Sequence, residues 1–353
     1  MKTLNITTKK PLINKEQGYV EMELDYGPAL YRGKIKIRGN STALGYKKPY
    51  TIKLDTTAHL LDGEDDKYIL LANCYDPTQM RNYLALNMAR ELGIDYTPQT
   101  KYVEVYINGE HKGLYLLVDS VMDKVKGDFL IETEQWDNPD LNVKYAISNS
   151  GRKYKIHFDK NGYDIVSLLN KMEDIINNGG NISLNEGIKV KSFAKYYILQ
   201  EFFKNADVGV ASTIYYGKKD KIRACCPWDF DLSSGNYKPD FYPALYIDGD
   251  SAKGLYATKM YPENIFNIPE FKREISETYL NIIPWIEDIH NKMSWIYVTY
   301  KDSFDNDVID QGMRYCEYQY EPLGTLKANM DFLQDWLTRR HEYLQTELLN
   351  ENK

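Results

Sequence analysis

Three aspartates in two short segments have the residue type and spacing needed for phosphoryl-transfer chemistry. Asp207 ends the segment Lys204-Asn-Ala-Asp207, after a helix-like run, whereas Asp229 and Asp231 lie in Trp228-Asp-Phe-Asp231, after a strand-like run. In phosphoryl transfer, one carboxylate orients and deprotonates the attacking hydroxyl, and another holds the Mg²⁺ bound to the nucleotide phosphates. The two acidic segments therefore indicate a phosphotransferase.

The spacing of these aspartates is similar to that of two protein-kinase motifs. Asp229-Phe-Asp231 is a variant of Asp-Phe-Gly, and Asp207 lies upstream where the catalytic-loop aspartate would be. In an extended segment Asp229 and Asp231 share one face, where a cation would relieve their repulsion, and Mg²⁺ prefers such ligands. The alternative is that all three are turn residues, with Asp229 and Asp231 capping Ser233-Ser234-Gly235.

Phosphate-binding candidates lie near the start of the chain. The turn Gly39-Asn40-Ser41-Thr42 could direct backbone N–H groups at phosphate, although it lacks a full glycine-rich motif. Arg38, directly before the turn, is a further candidate. Lys53 follows on a predicted strand, where alternation puts it opposite Ile52 and Leu54, and a kinase uses a strand lysine to hold phosphates. Lys47 and Lys48 are rival candidates, and a solvated surface lysine is the alternative interpretation.

Composition narrows the function classes. The chain has 353 residues and a formal net charge of −7, which argues against nucleic acid as a partner because that partner favours a basic face. No apolar run is long enough for a membrane span. The first ten residues lack the apolar core of a signal peptide, so a cytoplasmic location is expected for the chain as given. The alternative is that a leader has been removed.

The four cysteines predict neither a zinc site nor disulfides. They form no CxxC pair and lack nearby histidines at ligand spacing, which favours a reducing compartment; they are Cys74, Cys225, Cys226 and Cys316.

The elements that must position these residues predict an α+β fold. Residues 1–120 contain mainly predicted strands with one main helix. Asp76 is expected to cap this helix, with Pro77 at its first position and Gln79 completing a capping box. Asn108-Gly109 between two apolar strands predicts a hairpin. Residues 121–353 are mainly helical, so the order predicts two lobes, 1–120 and 121–353.

Several motifs together resemble the spore coat protein H (CotH) kinase-like family. Their order along the chain is also the family's, and the resemblance extends to Leu333–Arg339. The matching stretches are Ile37-Arg-Gly-Asn-Ser-Thr42, Lys47-Lys-Pro-Tyr-Thr-Ile-Lys-Leu54, Leu70-Leu-Ala-Asn73, Met80-Arg-Asn82, Val103-Glu-Val-Tyr-Ile-Asn-Gly109, Gly113-Leu-Tyr-Leu-Leu117, Lys204-Asn-Ala-Asp207 and Trp228-Asp-Phe-Asp-Leu-Ser-Ser-Gly-Asn236.

The resemblance implies a bilobal protein-kinase-like fold that uses ATP and Mg²⁺ or Mn²⁺ to phosphorylate proteins, notably spore coat proteins on serine. It implies that Asp207 is the catalytic aspartate and Asp229 a metal ligand. Ser212 stands where ordinary kinases place a metal-binding asparagine, and Asp231 replaces the glycine of Asp-Phe-Gly and could supply the missing ligand. If a leader has been removed, the resemblance implies a spore-surface or secreted location, although no polybasic or repeat tail supports a coat role.

Two other functions remain open at this point. A pseudokinase or adhesion module would keep the fold and recognise a partner through the loop 237–262 and some of the 31 tyrosines. The second of these functions is that of a kinase-like enzyme that transfers AMP from ATP instead of phosphate.

Overall fold

The computed structural model describes residues 2–135, 142–177, 187–255, 268–311 and 323–349. The chain forms two compact units. The barrel unit contains Met1–Asn87, Pro98–Ser120 and Asp288–Phe332, and the helical unit contains Met88–Thr97, Val121–Glu287 and Leu333–Lys353. Both units are therefore discontinuous, in contrast to the contiguous segments 1–120 and 121–353. Cys316, part of the loop 237–262 and most of the predicted terminator at 177–180 lie outside the described residues.

Seven strands of the barrel unit close into a barrel in the order β1-β2-β3-β4-β5-β7-β6. Neighbouring strands are antiparallel except β1 and β6, whose parallel pairing closes the barrel. The strands are β1 Lys2–Thr8, β2 Val20–Tyr26, β3 Ala29–Ile37, β4 Tyr50–Ala58, β5 Asp65–Leu71, β6 Thr100–Ile107 and β7 Glu110–Asp119. A closed barrel replaces the simple β-rich lobe that the sequence predicted.

Alternating side chains build the barrel core. In β2 the apolar positions from Val20 to Tyr26 are buried and the acidic ones between them are exposed, as the period-two pattern predicts. The hairpin at Asn108-Gly109 is confirmed: β6 and β7 pair across it, and both turn residues have positive φ, 54° and 80°, as a type I′ turn requires.

The main helix of the barrel unit begins later than predicted. Helix α1 spans Arg81–Glu91, and residues 77–80 form a turn before it. Asp76 accepts hydrogen bonds from the backbone N–H of Thr78 (2.9 Å) and of Arg81 (2.8 Å), and it forms a buried ion pair with the Arg81 guanidinium. Gln79 does not complete a capping box; its φ is 56° and its side chain bonds elsewhere, because a buried carboxylate competes for it.

That carboxylate is Asp307, on a helix distant in sequence. Helices α5 Ile289–Thr299 and α6 Lys301–Gln311 belong to the barrel unit. Asp307 accepts from Lys47 Nζ (2.9 Å), Gln79 Nε2 (2.7 Å) and Leu114 N (2.8 Å). The pair of Lys47 and Asp307 is almost completely buried, so it is a structural ion pair that fixes α6 against the barrel strands.

The helical unit contains a five-stranded sheet as well as helices, so the prediction of a mainly helical second part was incomplete. Its strand order is β12-β11-β8-β10-β9. The strands are β8 Phe129–Glu134, β9 Lys144–Ile147, β10 Lys153–Asp159, β11 Ala211–Lys218 and β12 Lys221–Cys225. The helices are α2 Ile165–Asn177, α3 Val190–Phe203, α4 Pro269–Glu287 and α7 Leu326–Leu349. Helix α7 begins in the barrel unit. Strand β10 was not predicted, although Tyr154, Ile156 and Phe158 alternate along it.

Helix α3 lies at the centre of the helical unit. Eleven of its residues are buried, and Tyr197 packs edge-on against Phe271 of α4 at 6.2 Å. Mixed α and β structure therefore agrees with the predicted class. Within the described residues, no helix combines the length and apolar character of a membrane span.

We predict that Asp307→Asn destabilises the protein by about 3–5 kcal/mol, because it leaves the buried Lys47 ammonium without its counter-charge. Urea denaturation followed by circular dichroism measures this. The control is Asp305→Asn on the same helix, which breaks a partly exposed pair with Lys301 and should cost less than about 1 kcal/mol. Equal effects of the two substitutions would contradict the structural role of Asp307.

Candidate active site

The turn that carries Asp207 follows directly from the end of α3. Lys204 caps the helix in a left-handed conformation with φ 46°, and its N–H points to the carbonyls of Gln200 and Glu201. The N–H of Ala206 then donates to the carbonyl of Leu232 at 3.0 Å. Asp207 is thus held between the helix end and the segment that carries the other aspartates.

That second segment is irregular and firmly packed. Asp229 has φ 67° and lies outside any strand, so the expected alternation of Asp229 and Asp231 on one extended face is wrong. The buried ring of Phe230 packs edge-on against Phe203 at 5.9 Å, and Ser234 N donates to the carbonyl of Phe203 at 2.7 Å. A non-glycine residue in the left-handed region is strained, and this packing holds Asp229 there.

Asn205 connects the two segments, and the sequence analysis did not single it out. Its side-chain amide donates to the carbonyl of Asp229 at 3.0 Å, and its side-chain oxygen accepts from the N–H of Asp207 at 3.2 Å. An asparagine two residues before an aspartate commonly makes the second contact. The first joins residues distant in sequence and has no local signal.

Asp207, Asp229 and Ser212 come together in this structure. The Ser212 hydroxyl lies 3.4 Å from Asp229 Oδ2, and Ser212 has φ 55°. Burial, and secondarily the negative charge of Asp229, raise the pKa of Asp207 to about 7. Two carboxylates that repel each other in a poorly solvated turn fit a divalent cation, which would offset that repulsion.

Asp231 occupies a different environment. It is buried, its Oδ1 accepts from the N–H of Leu232 at 3.2 Å, and its carbonyl accepts from Asn236 at 2.8 Å. In the part of the chain that the structure describes, no three His, Cys, Asp or Glu side chains form a group suited to a metal ion. A cation here would depend on water and phosphate oxygens for its other ligands, as Mg²⁺ commonly does.

The predicted phosphate turn has a well-defined shape within the barrel unit. Gly39 has φ 93°, and a Cβ there would lie 2.1 Å from Thr42 Oγ1, so the position requires glycine. Asn40 accepts from Lys15 Nζ at 2.9 Å, and Ser41 begins a short 3₁₀ helix that ends at Leu44. The N–H of Arg38 is used by the carbonyl of Pro49.

The three candidate lysines differ in burial and in the hydrogen bonds that their Nζ atoms make. Lys47 Nζ is buried and committed to Asp307 and to the carbonyl of Leu114, so it cannot serve as a phosphate ligand without breaking the fold. Lys48 is partly buried, and its Nζ donates to the carbonyl of Ala43 at 2.8 Å. Lys53 is exposed, on the face of β4 opposite to the buried Ile52 and Leu54.

Lys53 lies in a row of lysines. The strand register puts Lys34 of β3 and Lys67 of β5 directly opposite it. Like charges in directly opposed positions destabilise a sheet, so the row has a physical reason to attract an anion.

A family model identifies the family of this chain. The family model described as CotH kinase protein matches residues 35–344, which confirms the resemblance. A solved structure described as a Helicobacter pylori proinflammatory kinase CtkA is similar at 12% identity and a TM-score of 0.35, over 98% of each chain. No curated protein matches the sequence.

We predict that, without divalent cations, the free energy of unfolding falls as pH rises from about 4 to about 7, through the contribution of Asp207. Its pKa is raised from 3.8 to about 7 in the folded protein, so the folded state binds more protons than the unfolded state in this window. Urea denaturation in EDTA across this range measures the slope. Asp207→Asn should flatten the slope of unfolding free energy against pH. The control Asp240→Asn, at an exposed position, should leave the slope unchanged. Identical slopes in Asp207→Asn and wild type would contradict the raised pKa.

Proposed function

Because this chain belongs to the CotH kinase family, we propose that it is an ATP- and divalent-metal-dependent protein kinase that phosphorylates Ser or Thr of a protein substrate. The observation that carries this proposal is the juxtaposition of Asp207, with its raised pKa, and Asp229, with the Ser212 hydroxyl beside it. A carboxyl group with a pKa of about 7 beside a second carboxylate matches the roles of base and cation ligand.

In the proposed reaction, Asp207 orients the acceptor hydroxyl and takes its proton. The hydroxyl oxygen attacks the γ-phosphorus as the bond from that phosphorus to the bridging oxygen breaks, and ADP leaves with the electron pair. A pKa of about 7 for Asp207 suits a group that accepts a proton near neutral pH.

Asp229 and Ser212 are the proposed cation ligands, with Asp231 as a third residue that the sequence suggests. The cation, when bound, neutralises charge on the phosphate oxygens. The proposed nucleotide residues are Arg38, Gly39, Asn40, Ser41, Lys48 and Lys53. For Lys53, the opposed Lys34 and Lys67 support an anionic ligand.

A binding module without transfer activity is the second candidate. Two observations favour it: among the described residues no group of three His, Cys, Asp or Glu is ready to hold a metal, and a serine, Ser212, takes the place of the usual metal-binding asparagine. This candidate predicts weak nucleotide binding that does not depend on metal.

We predict that wild type incubated with ATP and Mg²⁺ or Mn²⁺ transfers phosphate to a serine-rich acceptor such as casein, and that Asp229→Asn and Asp207→Ala do not. Intact mass of enzyme and acceptor measures this and separates a phosphate gain from a nucleotide gain. Asp240→Asn is the matched carboxylate control. Transfer retained in Asp207→Ala would refute the assigned role, and neither transfer nor metal-dependent ATP binding in wild type would favour the binding module.

We also predict that Asn205→Ala lowers kcat by about 10²-fold, because it releases both the Asp229 carbonyl and the Asp207 N–H, and small displacements of reacting groups are costly. The free energy of unfolding should fall by about 1–3 kcal/mol. Asn329→Ala is a matched control, since it removes another buried amide, which binds the Thr325 carbonyl and the Leu323 N–H away from the candidate site. If kcat falls equally in both variants, the bridging role of Asn205 is wrong.

A further inference from the structure

Two fully buried cations in the helical unit have no role in the proposed chemistry. Lys204 is 1% exposed and Arg340 is 0% exposed. Burying a charge costs free energy unless the charge is paired and hydrogen-bonded. The groups that these two side chains bind therefore show what stabilises them.

Lys204 binds main-chain carbonyls of a segment distant in sequence. Its Nζ donates to the carbonyls of Leu245 (2.7 Å), Ser251 (3.0 Å) and Lys253. An ammonium group has three donors, and three carbonyls of one loop use them.

Arg340, on α7, binds main-chain carbonyls of the same loop. It donates to the carbonyls of Ala252 (2.9 Å) and Gly254 (2.8 Å). It also donates to the carbonyl of Glu201 at 2.8 Å and forms a buried ion pair with the carboxylate of that residue. Glu201 on α3 therefore supplies the counter-charge for the cluster.

Side chains of α7 add two contacts to the loop. Trp336 Nε1 donates to the Ser251 hydroxyl at 2.9 Å, and Arg339 pairs with Asp250 at 2.7 Å. Ser251 is 8% exposed, so its hydroxyl is poorly placed for modification. The segment Leu245–Gly254 is thus fixed mainly through its backbone.

Lys204 also begins the turn of the candidate site. It is the left-handed cap of α3, and the next residue, Asn205, bonds to both Asp229 and Asp207. A shift of Lys204 is therefore one peptide unit away from the side chain that bonds the main chain of both Asp207 and Asp229.

Burying the charged groups of Lys204 and Arg340 is not needed to stabilise a core. Burial, and then the positive charge of Arg340, lower the pKa of Lys204 to about 7. Apolar side chains of similar volume often stabilise a core as well as buried charges do. The two cations therefore indicate that the backbone they bind has to be held in one conformation.

We propose that Lys204 and Arg340 are positioning residues: they fix the segment Leu245–Gly254, and with it the turn that carries Asp207, without phosphorylation of that segment. In kinases regulated through this part of the chain, a phosphate paired with arginine orders the segment after the metal-binding aspartate. Here two internal cations bound to carbonyls do so. This inference rests on the proposed function.

The test compares Lys204→Met, Lys204→Arg and the control Lys327→Met, which removes an exposed lysine paired with Asp331. Hydrogen–deuterium exchange of amides 245–254 gives a readout that needs no activity. Exchange should be slow in wild type, at least about tenfold faster in Lys204→Met, partly restored in Lys204→Arg, and unchanged in Lys327→Met.

Phosphate transfer by enzyme that intact mass shows to be unphosphorylated gives the second readout. Wild type should act without a lag, and Lys204→Met should lose about 10²-fold in kcat, with partial rescue in Lys204→Arg. A lag in wild type, or unchanged kcat and exchange in Lys204→Met, would overturn the inference.

Two further outcomes keep the test decisive. If Lys204→Met does not fold, Arg340→Lys is used, since it keeps the charge and loses contacts to Ala252 and Gly254; unchanged exchange of amides 245–254 there overturns the inference. If wild type transfers nothing and binds no ATP, the proposed function fails and the positioning role fails with it, while faster exchange in the variants would still support the anchoring of the loop.

Discussion

The candidate site depends on an unfavourable arrangement, the placement of Asp207 in a poorly solvated turn beside the negative charge of Asp229. Burial raises the pKa of Asp207 to about 7, and the charge of Asp229 adds to it. Such a pair persists only if the surrounding structure fixes it. Several contacts act on it: the packing of Phe230 on Phe203, the amide of Asn205, and the turn that starts from Lys204.

The candidate site combines local backbone strain with contacts from distant parts of the helical unit. Its strain is local, at the left-handed Asp229 and Ser212, whereas the contacts that oppose it extend to α3, α7 and the loop 245–254. Sites of this kind commonly trade stability for function. Under the proposed function, the stability cost would lie in the neighbouring carboxylates of Asp207 and Asp229 and in the buried side chains of Lys204 and Arg340.

Features with a local signal were predictable from the sequence. The two aspartate segments, the Asn108-Gly109 hairpin and the amphipathic strand β2 all depend on residues adjacent in the chain. Asp229 was found by its motif, but its backbone conformation was not, because a left-handed aspartate depends on tertiary packing and not on propensity.

Features that depend on long-range pairing were not predictable. Lys47 and Asp307 are 260 residues apart, and nothing in either local sequence indicates the partner. The same is true of Lys204 with the loop carbonyls and of Arg340 with Glu201. As a result, Lys47 stayed a rival phosphate ligand, although its ammonium is fully occupied in the fold.

The barrel has a further consequence for how the protein can be handled. Strand β1 is the only element that joins β2 to β6 among the described residues, and its parallel pairing with β6 completes the closure. Removing Lys2–Thr8 would convert a closed barrel into an open sheet with two unpaired edges, one on β2 and one on β6. Exposed edges are templates for association between chains. Shortened forms that lack this strand should therefore self-associate even where the helical unit is left intact.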